Sequence, residues 1–182
     1  ASDGTVCTSA EDMASLLSSY WGSVFSAHPT DATLREEWLA SSSLRLPPHE
    51  RDARWLPSLS HVEDALKYAH ESPPGPAGIP YKAYKLIAWA PQLLFDALHA
   101  LLSPSAHPPP NDFNFAFLCC LPKKPVKVDA LLGELFSAET TRPLSIVNTD
   151  NRLLAGAMRL MSEPILNEVI SDMQRGFLRG RS

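Results

Sequence analysis

The sequence has little of what several common function classes require. It contains three cysteines, Cys7, Cys119 and Cys120. An odd number that includes an adjacent pair excludes a disulfide framework and favours a reducing compartment. None of the six histidines stands in metal-ligand spacing with another histidine or a cysteine, so no metal site is predicted. No apolar run approaches the ~18 residues that span a bilayer, and no signal-peptide pattern opens the chain. We therefore expect no membrane partner.

Patterns of catalytic residues are also missing. No Ser-His-Asp or Cys-His arrangement stands out, and the acidic pairs Glu36-Glu37 and Glu63-Asp64 fall on solvent-facing positions of helical patterns. The glycine-containing stretch SPPGPAGIP lacks the Lys and Ser/Thr that follow the glycine of a P-loop. The sequence therefore predicts no catalytic residue.

Positive charge is not in excess, but it is unevenly distributed. The 182 residues carry a formal net charge of −4. Residues 1–100 hold seven Lys/Arg against twelve Asp/Glu, whereas residues 101–182 hold nine against eight. A surface that binds nucleic acid would therefore lie in the second half. The 45% of hydrophobic residues is enough for a globular core. Eight of the seventeen prolines cluster at 73–80 and 104–110, as expected for loops.

Apolar residues at helical spacing dominate the first hundred residues. A first helix begins at the N-cap Ser9 with Asp12, and ends at His28-Pro29. A second, around 31–44, is expected to bury Leu34 and Trp38, and Trp21 of the first helix is also expected in the core. The sequence predicts three further helices: one capped by Ser60 with Glu63, one from Pro80 that Pro91 kinks, and one over 151–170 that Pro164 interrupts.

Between these helices the pattern changes to that of strands. Residues 113–121 are rich in aromatic residues, and residues 142–147 form a second β-type run. A connection of this length, predicted as a loop with one helical turn over 125–139, favours an antiparallel pair. The end of the first strand then meets the start of the second, which brings Lys123 and Lys124 close to Arg142. The predicted class is α+β: a mainly helical first part, then an antiparallel hairpin and more helices.

Three segments have a chemical and a purely structural interpretation. Lys123, Lys124 and Arg142 are suited to hold phosphates, because Arg offers a planar fork and Lys a mobile charge. They also fit solvated charges at a strand end. The stretch SPPGPAGIP allows close approach to a ligand or forms a rigid turn. The stretch QRGFLRGRS interleaves three arginines with an aromatic ring, which suits nucleic-acid contact or a basic loop.

Taken in order, four sequence blocks resemble one family, the reverse transcriptase of non-LTR (LINE-type) retrotransposons. SPPGPAGIPYKAYK (72–85) is similar to the family's S-P-G-P-D-G-I-P…F-Y-K, and LCCLPKK (118–124) to a strand ending in L-I-P-K-K. TRPLSIVNTDNRLLAGAMRLM (141–161) resembles R-P-I-S-L-L-N-T-D-Y-K-I-L-A-K, and ISDMQRGFLRGRS (170–182) resembles I-S-P-D-Q-T-G-F-I-P-G-R-S. The resemblance covers residues 60–182, and residues 1–59 match only the helical lead-in loosely.

The resemblance implies that residues 60–182 are a polymerase fingers region and 1–59 a helical N-terminal extension. Lys123, Lys124 and Arg142 would hold the triphosphate of the incoming deoxynucleotide. The template-binding residues would be Gln174, Gly176, Phe177, Arg179, Gly180 and Arg181. The partners would be an RNA template and a DNA primer. In the full-length family enzyme, Mg²⁺ held by palm aspartates supports the reaction. The family also implies an intracellular protein of nucleus and cytoplasm.

The chain departs from the family pattern at three places. Ala77 and Arg179 replace the family's Asp and second Pro, and the segment between Lys124 and Arg142 is longer. The palm motifs A-F-D and Y-A-D-D do not occur in the 182 residues and are expected beyond Ser182. We therefore expect the fragment to bind no Mg²⁺ and to be inactive alone. Two alternatives remain: a non-catalytic nucleic-acid-binding remnant of a retroelement, and a helical protein-interaction module.

Overall fold

The chain folds as two compact units, each built from two separate parts of the sequence. The computed structural model describes residues 6–41, 53–171 and 173–174. The first unit joins Ala1–Trp38 to Phe117–Ile146, and the second joins Leu39–Ala116 to Val147–Ser182. The described residues form six α-helices and two small two-stranded sheets, which confirms the predicted α+β class. The sequence boundary at 59/60 was drawn on the family resemblance and stays a prediction.

Two helices come first in the chain. Helix α1 is Ala10–Phe25, and its N-cap Ser9 accepts a hydrogen bond from the Asp12 amide at 3.0 Å, as predicted. Helix α2 is Ala32–Ser41; the predicted continuation to residue 44 lies outside the described residues.

The expectation that tryptophans and Leu34 of these helices lie in a core is largely wrong. Trp38 is 69% exposed and Leu34 is 64% exposed, whereas Trp21 is partly buried. Neither α1 nor α2 contains a fully buried residue. Helical spacing identifies which face of a helix is apolar, but a face is buried only if another element covers it.

The first unit also holds the strands. Strand β1 (Ala116–Pro122) pairs with β4 (Thr141–Val147) in one sheet. Phe113 and Phe115 donate their amides to turns with Pro110 and Asp112, so the strand begins three residues later than predicted. The Lys123 amide donates to the Thr140 carbonyl at 3.0 Å, which places the end of β1 beside the start of β4, as in an antiparallel pair.

The connection between β1 and β4 contains a second hairpin that the sequence analysis missed. Strands β2 (Lys127–Asp129) and β3 (Gly133–Leu135) pair antiparallel, with Val128 opposite Glu134. Gly133 closes the turn with a φ of 77°, a left-handed conformation that glycine adopts without a Cβ clash. A 3₁₀ turn at Ala138–Thr140 is the short helical turn that was predicted.

Helices form the second unit. They are α3 (Leu59–Lys67), α4 (Tyr81–Leu86), α5 (Ala90–Leu102) and α6 (Thr149–Val169). Helix α3 packs mainly against α6 and also against α5. The buried cluster that joins them contains Val62, Leu66, Tyr81, Leu94, Leu98, Leu153, Leu154 and Ala157. Burial of each large aliphatic side chain contributes about 1.5–3 kcal/mol, so this cluster holds the four helices together.

Three helix boundaries differ from the prediction. The N-cap of α3 is Ser58, not Ser60, and its amide donates to Nδ1 of His61 at 3.0 Å. The single helix expected from Pro80 is two helices, because Pro91 lies in the first turn of α5, where the missing N–H costs nothing. Helix α6 continues through Pro164, which was expected to interrupt it.

Candidate functional site

Three cations predicted to lie together do share one cavity of the first unit. The cavity has a volume of about 590 Å³ and is found where β1 ends and β4 begins. Its lining comprises Leu121, Pro122, Lys123, Lys124, Glu139, Thr140 and Arg142. The predicted proximity of Lys123 and Lys124 to Arg142 is therefore confirmed, since the ends of two antiparallel strands meet at the same edge.

The start of β4, and with it Arg142, is anchored by its neighbour Thr141. Thr141 is buried, and its hydroxyl donates to the Ala138 carbonyl at 2.6 Å. The same hydroxyl oxygen accepts a hydrogen bond from Nε1 of Trp21 at 3.1 Å. The Trp21 indole also stacks on Phe25, with ring centroids 5.6 Å apart. Helix α1 therefore holds the residue that precedes Arg142, and no signal in the sequence links positions 120 residues apart.

The Thr140 end of the cavity is shaped by the 3₁₀ turn. The Ser137 amide donates to the Thr140 hydroxyl oxygen at 3.2 Å, and that hydroxyl donates to the Ser137 carbonyl at 3.0 Å. These local bonds are typical of Ser and Thr in turns and fix the backbone of Thr140, which lines the cavity beside Lys123.

Positive charge exceeds negative charge in the cavity. Its wall carries three cations and one carboxylate, Glu139. Lys123, Lys124 and Arg142 are all exposed, and within the described part of the chain none of them forms an ion pair. Unpaired Lys and Arg side chains that share one cavity attract an anion, and several together suit one that carries more than one charge.

The SPPGPAGIP stretch lies in the second unit, where it packs against residues that precede and open α6. Gly75 is buried there, and the Gly78 amide donates to the Gly75 carbonyl at 2.9 Å to close a turn. The Ala77 amide donates to Oδ1 of Asn148 at 2.8 Å, and the Thr149 hydroxyl donates to the Ile79 carbonyl at 2.6 Å. The absence of a Cβ at Gly75 serves close packing of the chain against itself.

Arg152 completes the attachment of this stretch. One guanidinium nitrogen donates to the Ser72 hydroxyl and another to the Pro73 carbonyl, each at 2.7 Å. The guanidinium carbon lies 5.0 Å from the centre of the Tyr81 ring. Two of the four blocks that carry the family resemblance, 72–85 and 141–161, are thus in contact through residues 72–79 and 147–152.

The predicted template-binding block lies mostly outside the described residues. Gly176, Phe177, Arg179, Gly180 and Arg181 lie outside the described residues. Gln174 is described, and its amide donates to the Ser171 carbonyl at 3.0 Å. The role of this block stays a prediction.

Neither a metal-binding cluster nor a membrane-spanning helix occurs among the residues that the structure covers. No three His, Cys, Asp or Glu side chains converge there in a way that would hold a metal ion. In the same ranges no helix combines the length and apolar character needed to cross a bilayer.

No known protein family has a model that matches the chain, and no curated protein is significantly similar to it.

Proposed function

We propose that the chain is the fingers portion, with an N-terminal extension, of a reverse transcriptase of the non-LTR retrotransposon type. In this proposal Lys123, Lys124 and Arg142 hold the triphosphate of the incoming deoxynucleotide. The observation that carries the proposal is the shared cavity at the joined ends of β1 and β4, which brings together two of the sequence blocks that resemble the family.

The number and kind of charges in the cavity suit a triphosphate. The guanidinium of Arg142 can bind two phosphate oxygens at once, and the lysine ammonium groups follow the remaining charge as flexible point charges. Anchoring of Thr141 by Trp21 keeps the backbone of Arg142 in place. Chemistry at the 3′ end of a primer would need Mg²⁺ and the palm aspartates of the family enzyme.

The first test is binding of tripolyphosphate to the 182-residue chain, measured by calorimetry at low salt. Replacing Lys123, Lys124 and Arg142 together by Ala should weaken binding about ten-fold or more, since charge-assisted hydrogen bonds are lost. The matched control is Lys127→Ala, which removes an exposed cation from the neighbouring strand β2 without touching this cavity. An unchanged affinity in the triple variant, or an equal loss in the control, would refute the triphosphate role.

RNA binding separates the nucleic-acid functions from the helical interaction module. A fingers fragment and a non-catalytic remnant should both bind single-stranded RNA through the more basic second half, with an affinity that falls steeply as salt is raised. An interaction module should bind none. A polymerase and a remnant then differ in the codons beyond Ser182, where only a polymerase has A-F-D and Y-x-D-D motifs in frame.

A further inference from the structure

A second cavity, in the helical unit, has a character opposite to that of the cationic site. Its volume is about 770 Å³, within the range of about 300–1,000 Å³ that is usual for small-molecule sites. The end of α5, the proline-rich segment 103–110, Phe113 and the start of α6 surround it. Most of its lining is apolar and includes Leu93, Leu101, Pro109 and Phe113. We call it the α5–α6 groove.

One carboxylate lines this groove, and no lysine or arginine does. Asp150 is half-buried, and its Oδ1 accepts the Asn151 amide at 2.8 Å. Within the described part of the chain, Asp150 has no ion-pair partner. The one basic side chain in the lining is His107. Asp150 lies in the first turn of α6, where backbone amides already stabilise a carboxylate. Because no lysine or arginine lines the groove, its charge still favours a cationic over an anionic occupant.

The pKa of Tyr84, which lines the groove, is affected by this charge. Burial raises the pKa of the Tyr84 hydroxyl above its ordinary value of 10.0, and the negative charge of Asp150 raises it further. The charge of the Asp150 carboxylate therefore extends to a side chain of the groove wall. Tyr84 and Phe113 also present aromatic rings, whose faces attract cations.

We propose that the α5–α6 groove binds an amphipathic monocation, an apolar body that carries one ammonium group. The ammonium pairs with the Asp150 carboxylate, and the apolar body lies against the leucine, proline and phenylalanine side chains. A neutral molecule of the same shape gains only the apolar contacts, and a carboxylate is repelled by Asp150. The site uses none of the three cations assigned to the triphosphate and does not depend on that assignment.

Three eight-carbon probes that differ only in the head group test the proposal: octylammonium, octan-1-ol and octanoate. Calorimetry on the 182-residue chain should show that octylammonium binds about five- to ten-fold more tightly than octan-1-ol, as expected for one partly buried ion pair. Octanoate should bind most weakly. On the unaltered chain, equal affinities of octylammonium and octan-1-ol, or no saturable binding of either, would overturn the proposal.

Two variants test whether Asp150 is the residue that pairs with the ammonium group. Asp150→Asn removes the charge at nearly constant volume, and should lower the affinity for octylammonium to that for octan-1-ol while leaving the latter unchanged. Asp96→Asn makes the same change of charge at an exposed position of α5 outside the groove, and should alter neither affinity. A loss of octylammonium binding in both variants, or in neither, would contradict a site at Asp150.

Discussion

Among the glycines that the structure describes, Gly75 is the one where a side chain would meet the closest contacts. A Cβ atom there would come within 2.5 Å of the Asn148 nitrogen and of the Val147 carbonyl oxygen, both backbone atoms that cannot rotate away. We predict that Gly75→Ala lowers the free energy of unfolding by about 1–3 kcal/mol, as overpacked sites do. Chemical denaturation would measure it.

Gly22 supplies the matched control for that substitution. It lies in α1, and a Cβ there meets no atom within 4 Å. Gly22→Ala should raise stability by about 0.5–1 kcal/mol, because alanine loses less backbone entropy in a helix. Equal effects of the two substitutions would show that the contact at Gly75 is not rigid.

The buried positions that can be predicted from the sequence are those that follow from local helical spacing. Val62 and Leu66, like Leu94 and Leu98, recur at the spacing that assigns residues to one apolar helix face, and all four are buried. Trp38 was assigned in the same way and is exposed, because the period of a helix says nothing about which element covers it.

In the candidate site, too, some contacts follow from local sequence pattern and others depend on how the helices pack. Lys123, Lys124 and Arg142 were placed together because antiparallel strand ends must meet. The hydrogen bond from Trp21 to Thr141 was not foreseen, since it depends on where α1 packs and not on the character of either residue.

At the scale of elements, Asp129 holds the turn between β2 and β3. Its Oδ1 accepts the amides of Leu131 at 2.9 Å and Leu132 at 3.1 Å, and these bonds lower the pKa of Asp129 below its ordinary value of 3.8. Since the folded pKa is the lower one, the carboxylate stabilises the hairpin fully above the ordinary value. This stabilisation is lost as the pH falls through the folded value.

We therefore predict that the β2–β3 hairpin loosens on acidification below about pH 4, the ordinary range of an aspartate. Amide proton shifts of Leu131 and Leu132, followed by NMR, should move together over that range. In Asp129→Asn the pH-dependent movement should vanish. Shifts that titrate identically in this variant would assign the change to another group.

Pro164 lies inside α6, and its replacement should stabilise the helix. Proline has no N–H to donate to the carbonyl of Leu160, four residues earlier, and its ring crowds that carbonyl. Its side chain is exposed, so its replacement removes few packing contacts. Pro164→Ala should raise the free energy of unfolding by about 1–3 kcal/mol.

Thermal and chemical denaturation would measure the gain, with Ser162→Ala on the same helix as the control for helix propensity alone. That control should change stability by less than about 0.5 kcal/mol. A loss of stability in Pro164→Ala would mean that the proline ring makes contacts that α6 needs.

Strands β2 and β3 were not predicted from the sequence, although the short helical turn in the same segment was. Strands β2 and β3 each have three residues, too few for alternation to be recognised against a loop. Their pairing depends on Asp129 and Gly133 at the turn.

The second unit contains a hydrophobic core of its own. Its buried cluster draws only on residues before Ala116 and after Val147. The two chain ends at this break are close, because Nδ2 of Asn151 donates to the Phe113 carbonyl at 2.6 Å. We predict that residues 53–116, joined by a short Gly/Ser linker to 147–182, fold into the helical unit with a cooperative thermal transition.

Circular dichroism and NMR dispersion of the shortened chain would measure this. Val62→Asp in the same chain is the negative control, since Val62 is fully buried at 0% exposure. A gradual, non-cooperative melt of the shortened chain would show that the helices depend on the hairpin residues.

The β2–β3 hairpin lies within the loop that pairing of β1 with β4 closes. Pairing of β1 with β4 must close the loop of residues 123–140, and the entropy of closure grows with loop length, by about 0.6 kcal/mol for each doubling. Once Lys127 pairs with Leu135, the residues between them no longer add to the loop. The β2–β3 hairpin thus shortens the loop that must close when β1 pairs with β4. We therefore expect it to form before Lys123 and Lys124 are brought beside Arg142.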